Sequence, residues 1–238
     1  MKKTLQILCF AALMLSLKYG AQAQFRQSIF LNGDLPVGGW AKSVSSNHTA
    51  VPLYNVDIAK DVTAGFGAGY RASYRFDVGV GMVAPFAQGD FWWNFTNNEW
   101  KDKYIQADAA SPNYFNVTAM IGVSYLYDEL WNDITPYGEF GIGADIFFIT
   151  KEKSDNFLAL HKTYAYKPST DMAWMIGAGS YFGRHVSAGL YYYGLGKHTI
   201  KYTNSTVSSF STVEEVAYKS NVETRTLGML ALRIGFHF

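Results

Sequence analysis

The sequence has few of the features that define several common protein classes. Its 238 residues contain one cysteine and six prolines, so a secreted domain held together by disulfides is excluded. Lys and Arg number 20 against 19 Asp and Glu, and this balance gives no sign of a nucleic-acid partner. After residue 23 no apolar run reaches the roughly 20 residues of a membrane helix. Any membrane crossing must therefore use β-strands.

The first 23 residues have the pattern of a secretory signal peptide. Lys2 and Lys3 precede an apolar run over residues 5–17, and an A-x-A sequence occupies residues 21–23. The only cysteine, Cys9, lies within this segment and lacks the preceding small residues of a lipoprotein cleavage site. We expect a signal peptide over residues 1–23 and one β domain over residues 24–238, outside the cytoplasm.

Apolar residues recur at every second position through the rest of the chain. The segment from residue 222 to residue 238 places apolar side chains on one face and mostly small or polar ones on the other, which predicts a strand between two different environments. The apolar face comprises Leu230, Leu232, Ile234, Phe236 and Phe238. Similar alternation predicts strands over residues 64–76, 78–86, 114–127, 135–148, 172–182 and 186–194, and a first strand is expected near residues 26–32. In the segment 78–86 the predicted outward residues are Val78, Val80, Met82, Ala84 and Phe86.

The connections between these eight strands alternate in length. Short turns are predicted at residues 76–77, 128–134 and 183–185, and loops of about 20 residues or more at residues 33–61, 93–113, 150–171 and 197–221. A sheet that spans lipid must close on itself, because lipid offers the backbone no hydrogen-bond partner. The pattern predicts an all-β, eight-stranded antiparallel up-and-down transmembrane β-barrel, with short periplasmic turns, periplasmic termini and four long extracellular loops.

These features resemble the small outer-membrane barrel superfamily of the OmpA transmembrane domain and OmpX. The stretch FLNGDLPVG at residues 30–38 also resembles the first strands of outer-membrane barrel proteins of Bacteroidetes. The resemblance implies a Gram-negative cell envelope, with outer-membrane lipid and lipopolysaccharide around the barrel. It also implies that Phe236 and Phe238, in a final strand of alternating apolar residues, form an assembly signal for the barrel-assembly machinery.

The predicted inner face carries charges of both signs. Side chains nearly fill the interior of an eight-stranded barrel, and buried charges are costly unless they are paired. We expect an ion-paired plug, with a charged ion path as the alternative. The predicted lumen network comprises Arg71, Arg75, Glu139, Asp145, Arg233 and His237.

Aromatic residues cluster where the third strand meets a long loop. Phe91, Trp92 and Trp93 are expected in the girdle of rings at the membrane interface. Trp100 and Tyr104 lie farther along the loop, and we identify them as a candidate partner-binding loop.

No catalytic, cofactor or metal site is predicted, because the five histidines are scattered along the chain. His185 and Ser187 have the His-x-Ser spacing of lipid A deacylases, yet they lie at a predicted periplasmic turn, far from lipid A in the outer leaflet. The predicted function is a non-enzymatic structural or adhesive scaffold that binds an extracellular or envelope partner through its loops. A narrow porin-like channel for ions or small solutes is the alternative, and a lipid A-modifying acyl hydrolase is least favoured.

Overall fold

The computed structural model describes residues 24–39, 62–98, 101, 109–110, 112–127, 133–156, 160–208, 218–219 and 223–238. The predicted signal peptide at residues 1–23, Trp100 and Tyr104 lie outside these residues. Within the described ranges, no helix has the length and apolar character needed to cross a membrane.

The described residues form twelve strands. In chain order they are β1 (Gln24–Gly38), β2 (Val62–Asp77), β3 (Met82–Thr96), β4 (Ala109–Ala110), β5 (Tyr114–Leu126), β6 (Ile134–Ile149), β7 (Glu152–Asn156), β8 (Leu160–Lys167), β9 (Ser169–Phe182), β10 (Val186–Ser208), β11 (Tyr218–Lys219) and β12 (Glu223–His237). Eight of these pair in the order β12-β1-β2-β3-β5-β6-β9-β10, and β10 also pairs with β12. The sheet is therefore closed, which confirms the predicted eight-stranded antiparallel barrel.

Two tight connections, at residues 78–81 and 183–185, lie at one end of the barrel, which we call the turn end. Most of the turn predicted at residues 128–134 lies outside the described residues. Strand β2 runs to Asp77, so the first turn occupies residues 78–81 rather than the predicted 76–77. The backbone N–H of Val78 donates to the carbonyl of Gly81 over 3.0 Å. Gly79 and Gly81 have φ angles of 86° and 138°, which side-chain-bearing residues rarely adopt. The turn therefore depends on these two glycines.

At the opposite end, which we call the loop end, the strands extend beyond their predicted limits. Strand β10 continues for 23 residues to Ser208, through an irregularity between Gly194 and Gly196. Its far half pairs with β8, β8 pairs with β7, and β7 pairs with β4. The segments predicted as long loops at residues 150–171 and 197–221 therefore contain additional β-sheet. Strands β7 and β8 form a hairpin, and the backbone of β8 supplies hydrogen-bond partners for the extended part of β10.

The outer surface of the barrel is apolar. Directly exposed side chains on the outward faces include Leu31, Phe66, Tyr70, Ile121, Phe140, Trp174, Leu190, Leu232, Ile234 and Phe236. Leu190 is 69% exposed and Ile121 64% exposed, which a soluble monomer would rarely tolerate over such a continuous surface. The predicted outward faces of β2, β5, β6, β9, β10 and β12 are confirmed.

The predicted face of the third strand is wrong. Ala84 and Phe86 are 3% and 5% exposed and point into the barrel, whereas Pro85 and Ala87 are exposed. The cause is the strand register, in which Phe76 pairs with Val83. Directly paired residues lie on the same face of the sheet. Because the even residues of β2 face outward and Phe76 pairs with Val83, the odd residues of β3 also face outward. Val78 and Val80 belong to the turn.

The aromatic cluster at the end of β3 divides between the two faces. Phe91 is 44% exposed, and Trp93 packs beside Phe66 and Phe115 with ring centroids 5.4 and 5.6 Å apart. These outward rings are placed as the girdle prediction requires. Trp92, however, is fully buried in the lumen, so its predicted place in the girdle is wrong.

Candidate functional site: the charged lumen

Arg71 and Glu139 form an ion pair inside the barrel. Strand β2 carries Arg71 and strand β6 carries Glu139, and their side chains are 5% and 1% exposed. Glu139 also accepts hydrogen bonds from the hydroxyl groups of Ser124, at 3.0 Å, and Tyr191. Its two oxygens therefore receive one guanidinium and two hydroxyl donors. Such saturation is what a buried carboxylate needs to remain charged.

Arg233, on β12, is the centre of a second ion pair and is fully buried. Its Nη2 lies 3.2 Å from Oδ1 of Asp90 and also donates to the hydroxyl of Tyr193. Its Nε donates to Oδ1 of Asn32 over 2.9 Å. The guanidinium thus bonds to partners on three strands, β1, β3 and β10.

Gln88 joins the two ion pairs into one network. Its side-chain oxygen accepts from Nε of Arg71 at 2.8 Å and from Nη1 of Arg233 at 3.1 Å. Its amide nitrogen donates to Oδ2 of Asp90 over 2.5 Å. One amide therefore separates two like charges and orients a carboxylate toward one of them.

Aromatic rings cover both guanidinium groups. The Cζ of Arg71 lies 3.9 Å from the ring centroid of Phe86, and the Cζ of Arg233 lies 4.3 Å from that of Phe30 and 4.4 Å from that of Tyr191. These are cation–π distances. Together, the ion pairs and rings form a layer across the middle of the barrel, which we call the arginine layer.

Asp145 and His198 form a third pair nearer the loop end. The His198 Nε2 lies 3.0 Å from Oδ2 of Asp145, and both side chains are fully buried. Asn116 donates to the same carboxylate oxygen over 2.7 Å. The other ring nitrogen of His198 lies 3.1 Å from the carbonyl of Ser169. Both ring nitrogens thus face oxygen acceptors, an arrangement that fits an imidazolium beside a carboxylate.

His237 lies at the turn end between two hydroxyl groups. Its Nδ1 is 2.7 Å from Oγ of Ser28, and its Nε2 is 2.8 Å from Oγ of Ser187. The partner of Ser187 is therefore His237, whereas His185 contacts the carbonyl of His237 at 2.9 Å. The second ring nitrogen of His237 faces a serine where a hydrolase triad has a carboxylate. The pair is also buried, and it lacks the orienting group that acyl transfer requires.

The structure brings some of the predicted lumen residues together and separates others. Arg71 contacts Glu139, but Arg233 contacts Asp90, and Asp145 contacts His198. Arg75 stacks over the ring of Tyr181 with its Cζ 4.6 Å from the centroid. Of the predicted residues, Arg71, Glu139 and Arg233 thus belong to the network that Gln88 joins, whereas Asp145 forms a separate pair with His198.

Several members of these contacts were absent from the sequence prediction, among them Gln88, Asp90, Tyr191, Tyr193 and His198. Gln88 and Asp90 were missed because the predicted third strand ended at residue 86 and its even residues were assigned to the lipid face, whereas β3 continues to Thr96. Their polarity, at two even positions of β3, is the signal that could have corrected that assignment, since lipid rejects polar groups. Tyr191, Tyr193 and His198 are buried on β10, where the sequence prediction named only outward residues.

The described part of the chain contains no group of three His, Cys, Asp or Glu side chains arranged to hold a metal ion.

Comparison with known proteins extends the structural evidence. No protein-family model and no curated protein matches the chain. Among solved structures, a major outer membrane protein of Thermus thermophilus matches at 11% identity and a TM-score of 0.50, over 90% of this chain and 100% of that one. Ail of Yersinia pestis matches at 10% identity and a TM-score of 0.43, over 90% and 99% of the two chains. OprG of Pseudomonas aeruginosa matches at 10% identity and a TM-score of 0.42, over 92% and 97%.

The first of these matches, together with the closed antiparallel sheet and its apolar exterior, decides the fold. This chain has the fold of the small eight-stranded outer-membrane β-barrels, as its resemblance to the OmpA and OmpX superfamily predicted.

Proposed function

We propose that this protein is an integral outer-membrane barrel with a plugged lumen, whose loop end serves as a non-enzymatic scaffold for binding or adhesion. The observation that carries the plug is the arginine layer. Arg71 is 4% exposed and Arg233 is fully buried, and Gln88 connects them within the lumen. Moving ions past this layer would require breaking two buried ion pairs, which is costly.

The scaffold role is supported by the sheet beyond the barrel. Strand β10 extends to Ser208 and is flanked by β8 and β7. A functional surface needs a folded support, and binding residues tend to lie in loops held by a rigid scaffold. The paired extension of β10 supplies such a support at the loop end.

The binding proposal places the partner contact in the loop that carries Trp100 and Tyr104. Shortening residues 100–104 is expected to leave the barrel folded, because the described strands β3 and β5 pair directly from Asn94 and Tyr114 toward the turn end. It should weaken partner capture from cross-linked outer membranes. The measurement is the yield of cross-linked partner together with heat-modifiable migration in detergent gels.

The matched control is a shortening of equal length within residues 209–217, in the segment predicted as a long loop at residues 197–221. If partner capture survives each loop deletion in turn while the barrel stays folded, the binding site lies elsewhere and the scaffold proposal fails.

The assembly role of Phe238 is part of the proposal, with the barrel-assembly machinery as partner. The Phe238 ring is 59% exposed on the apolar outer face, while its backbone exchanges two hydrogen bonds of 3.0 Å with Gln27. Changing Phe238 to Ala keeps both backbone bonds, so we expect nearly unchanged melting of refolded protein but less assembled barrel in cells. The control is Leu230→Ala, which removes apolar surface at another exposed position on β12. Pulse-chase measurement of both variants separates loss of the assembly signal from loss of apolar surface. Equal assembled levels for both variants would contradict the role.

A channel is the second candidate function, because the lumen nearer the loop end contains polar atoms without protein partners. Among the described residues these include the side-chain oxygens of Asn94 and Asn116, and such groups favour water in the barrel. Planar-bilayer recordings decide between the two functions. A plugged barrel gives no steady conductance, whereas a narrow pore gives stable unitary steps with ion selectivity.

A further inference from the structure

Three exposed lysines lie on the outer face of the sheet at the loop end, and we call them the lysine patch. Lys197 and Lys201 are on β10, and Lys167 is at the end of β8. On β10 they alternate with the buried His198 and Ile200, so they point away from the interior. Lys201 pairs directly with Lys167, which places Lys167 on the same outward face.

The lysine patch begins where the apolar exterior ends. Met172 and Trp174 are exposed on β9, and Trp174 packs beside Tyr192 of β10 with ring centroids 5.2 Å apart. Such outward rings mark the interface between acyl chains and headgroups. Lys197 is the first exposed residue of β10 beyond Tyr192, so it lies at the level of the headgroups. Lys201 is roughly 13 Å farther along the strand, at about 3.3 Å per residue.

The pairing of Lys167 with Lys201 brings two like charges together. Residues directly opposite each other in antiparallel strands have Cβ atoms about 4.5–5.5 Å apart, and like charges there destabilise the sheet. Within the described part of the chain, no carboxylate forms an ion pair with any lysine of the patch. The carboxylate of Asp171 instead accepts from the backbone N–H groups of Lys197 and Met172. An anion bound from outside the chain would offset the repulsion between the lysines.

Exposed threonines extend the polar surface beside the lysine patch. Thr226 of β12 pairs directly with Lys197, and Thr224 pairs with Thr199. Thr224 and Thr226 are both exposed. Hydroxyl groups donate and accept hydrogen bonds, and lysine binds phosphate as a point charge. This surface therefore combines the two kinds of group that suit a phosphorylated sugar.

We propose that the lysine patch binds the phosphate groups of an outer-leaflet glycolipid of the lipopolysaccharide class. This inference rests on the proposed function, which puts the loop end outside the outer membrane. With a strand tilt of about 35–45°, Lys167 and Lys201 lie about 10 Å above Lys197. The headgroup layer of a phospholipid is only about 5–8 Å thick and would reach Lys197 alone. A glycolipid with several sugars and phosphates reaches both levels.

Titration with fluorescently labelled lipopolysaccharide tests the proposal on the refolded full chain in zwitterionic detergent. Lys167→Gln combined with Lys201→Gln should weaken binding roughly thirtyfold, which corresponds to about 1 kcal/mol for each lysine near an anionic lipid surface. Binding by the parent should also weaken as salt is added, because exposed charges are screened.

A matched single substitution shows whether the position of the charge matters. Lys201→Gln should weaken binding about fivefold, in line with one lysine at an anionic surface. Lys101→Gln makes the same change in charge beyond the end of β3, a strand that pairs with β2 and β5 rather than with β8 or β10. This control should bind lipopolysaccharide like the parent.

Charge reversal at Lys167 separates lipid binding from folding. Lys167→Glu replaces the like-charge pair with an opposite-charge pair, so this variant should melt at a higher temperature than the parent when no lipopolysaccharide is present. Adding lipopolysaccharide should raise the melting temperature of the parent and leave that of Lys167→Glu nearly unchanged. A folding defect cannot explain weaker binding by a variant that is more stable.

Two further probes identify the source of the phosphate. Enzymatically dephosphorylated lipopolysaccharide should bind the parent more weakly than the intact form. Binding of phosphatidylglycerol should respond to Lys197→Gln and not to Lys201→Gln. If phosphatidylglycerol binding is as sensitive to Lys201→Gln as lipopolysaccharide binding is, the assignment to a glycolipid is wrong.

Three other results overturn the proposal: equal affinities of Lys201→Gln and Lys101→Gln, equal affinities for intact and dephosphorylated lipopolysaccharide, or no rise in the melting temperature of the parent. Heat-modifiable migration in detergent gels is measured on every sample. A parent that keeps this migration and fails to bind lipopolysaccharide refutes the lysine site alone, whereas a parent without it refutes the proposed barrel function.

Discussion

Replacing Glu139 with Gln is expected to destabilise the barrel by about 3–5 kcal/mol, the usual cost of breaking a buried ion pair. The substitution removes the negative charge that faces Arg71 and leaves the guanidinium buried between Phe30 and Phe86. Gln88 also contacts Arg71, but a neutral amide oxygen cannot balance its charge. The measurement is the free energy of unfolding in detergent or lipid vesicles, obtained from denaturant titration.

The same variant should make the barrel leakier to ions, because Arg71 loses the partner that holds it in the arginine layer. The pore hypothesis predicts a different result for Glu139→Gln. Its charges would be hydrated and nearly independent, so the substitution would change ion selectivity and cost less than about 1 kcal/mol. Planar-bilayer conductance beside the unfolding data separates the two. Steady wild-type conductance with unchanged mutant stability would reject the plug.

A double variant, Arg71→Met with Glu139→Leu, controls for lost packing. Replacing both members of a buried pair by apolar residues of similar volume is often neutral or stabilising, so the double variant should regain most of the stability lost in Glu139→Gln. If the double variant is less stable than the single one, packing in the layer matters more than charge.

Replacing Ile234 with Arg is expected to destabilise the barrel by about 2–4 kcal/mol in lipid vesicles, the cost of Arg at the bilayer midplane on a barrel exterior. Ile234 is 44% exposed and lies midway between Leu230 and Phe238 in the outward apolar row of β12. The guanidinium would have to reach an interface from the middle of the apolar band. Equilibrium unfolding in phospholipid vesicles gives the difference.

Two controls accompany this measurement. Ile234→Ala removes apolar surface without adding a charge, and it should cost clearly less than Ile234→Arg. Thr226→Arg adds the same charge on the outer side of β12 nearer the loop end, where Thr226 is exposed, and it should be nearly neutral. Equal costs for the two arginine variants would mean that lipid does not cover the middle of this face.

The outward faces of most strands were predictable because lipid imposes a strict rule. Every outward position within the bilayer has to be apolar, so the period of two appears in the sequence without interference from tertiary contacts. Residues such as Ile121 and Leu190 are exposed as that rule requires. The eight strands, the short turns and the closed sheet follow from the same pattern, because lipid leaves no unpaired edge.

The third strand shows where the pattern was ambiguous. Residues 82–87 are apolar on both faces, since the inward Phe86 packs against Arg71 while Ala87 faces outward. Strand pairing resolves the ambiguity. The predicted two-residue turn at residues 76–77 would itself have paired the inward Arg75 with Val78, which places the even residues of β3 inside the barrel. The error was to assign the even residues to the outward face on both sides of the turn.

The sequence alone determined the class of fold, the lipid face and the presence of charges in the lumen. Only the tertiary structure decided which charges meet, because the lumen brings together residues far apart in the chain, such as Asp90 and Arg233, which are 143 residues apart. Strand register sets the height of each side chain along the barrel, and closure sets which strands face one another. Both depend on the whole sheet, so neither can be derived from the alternation within one strand.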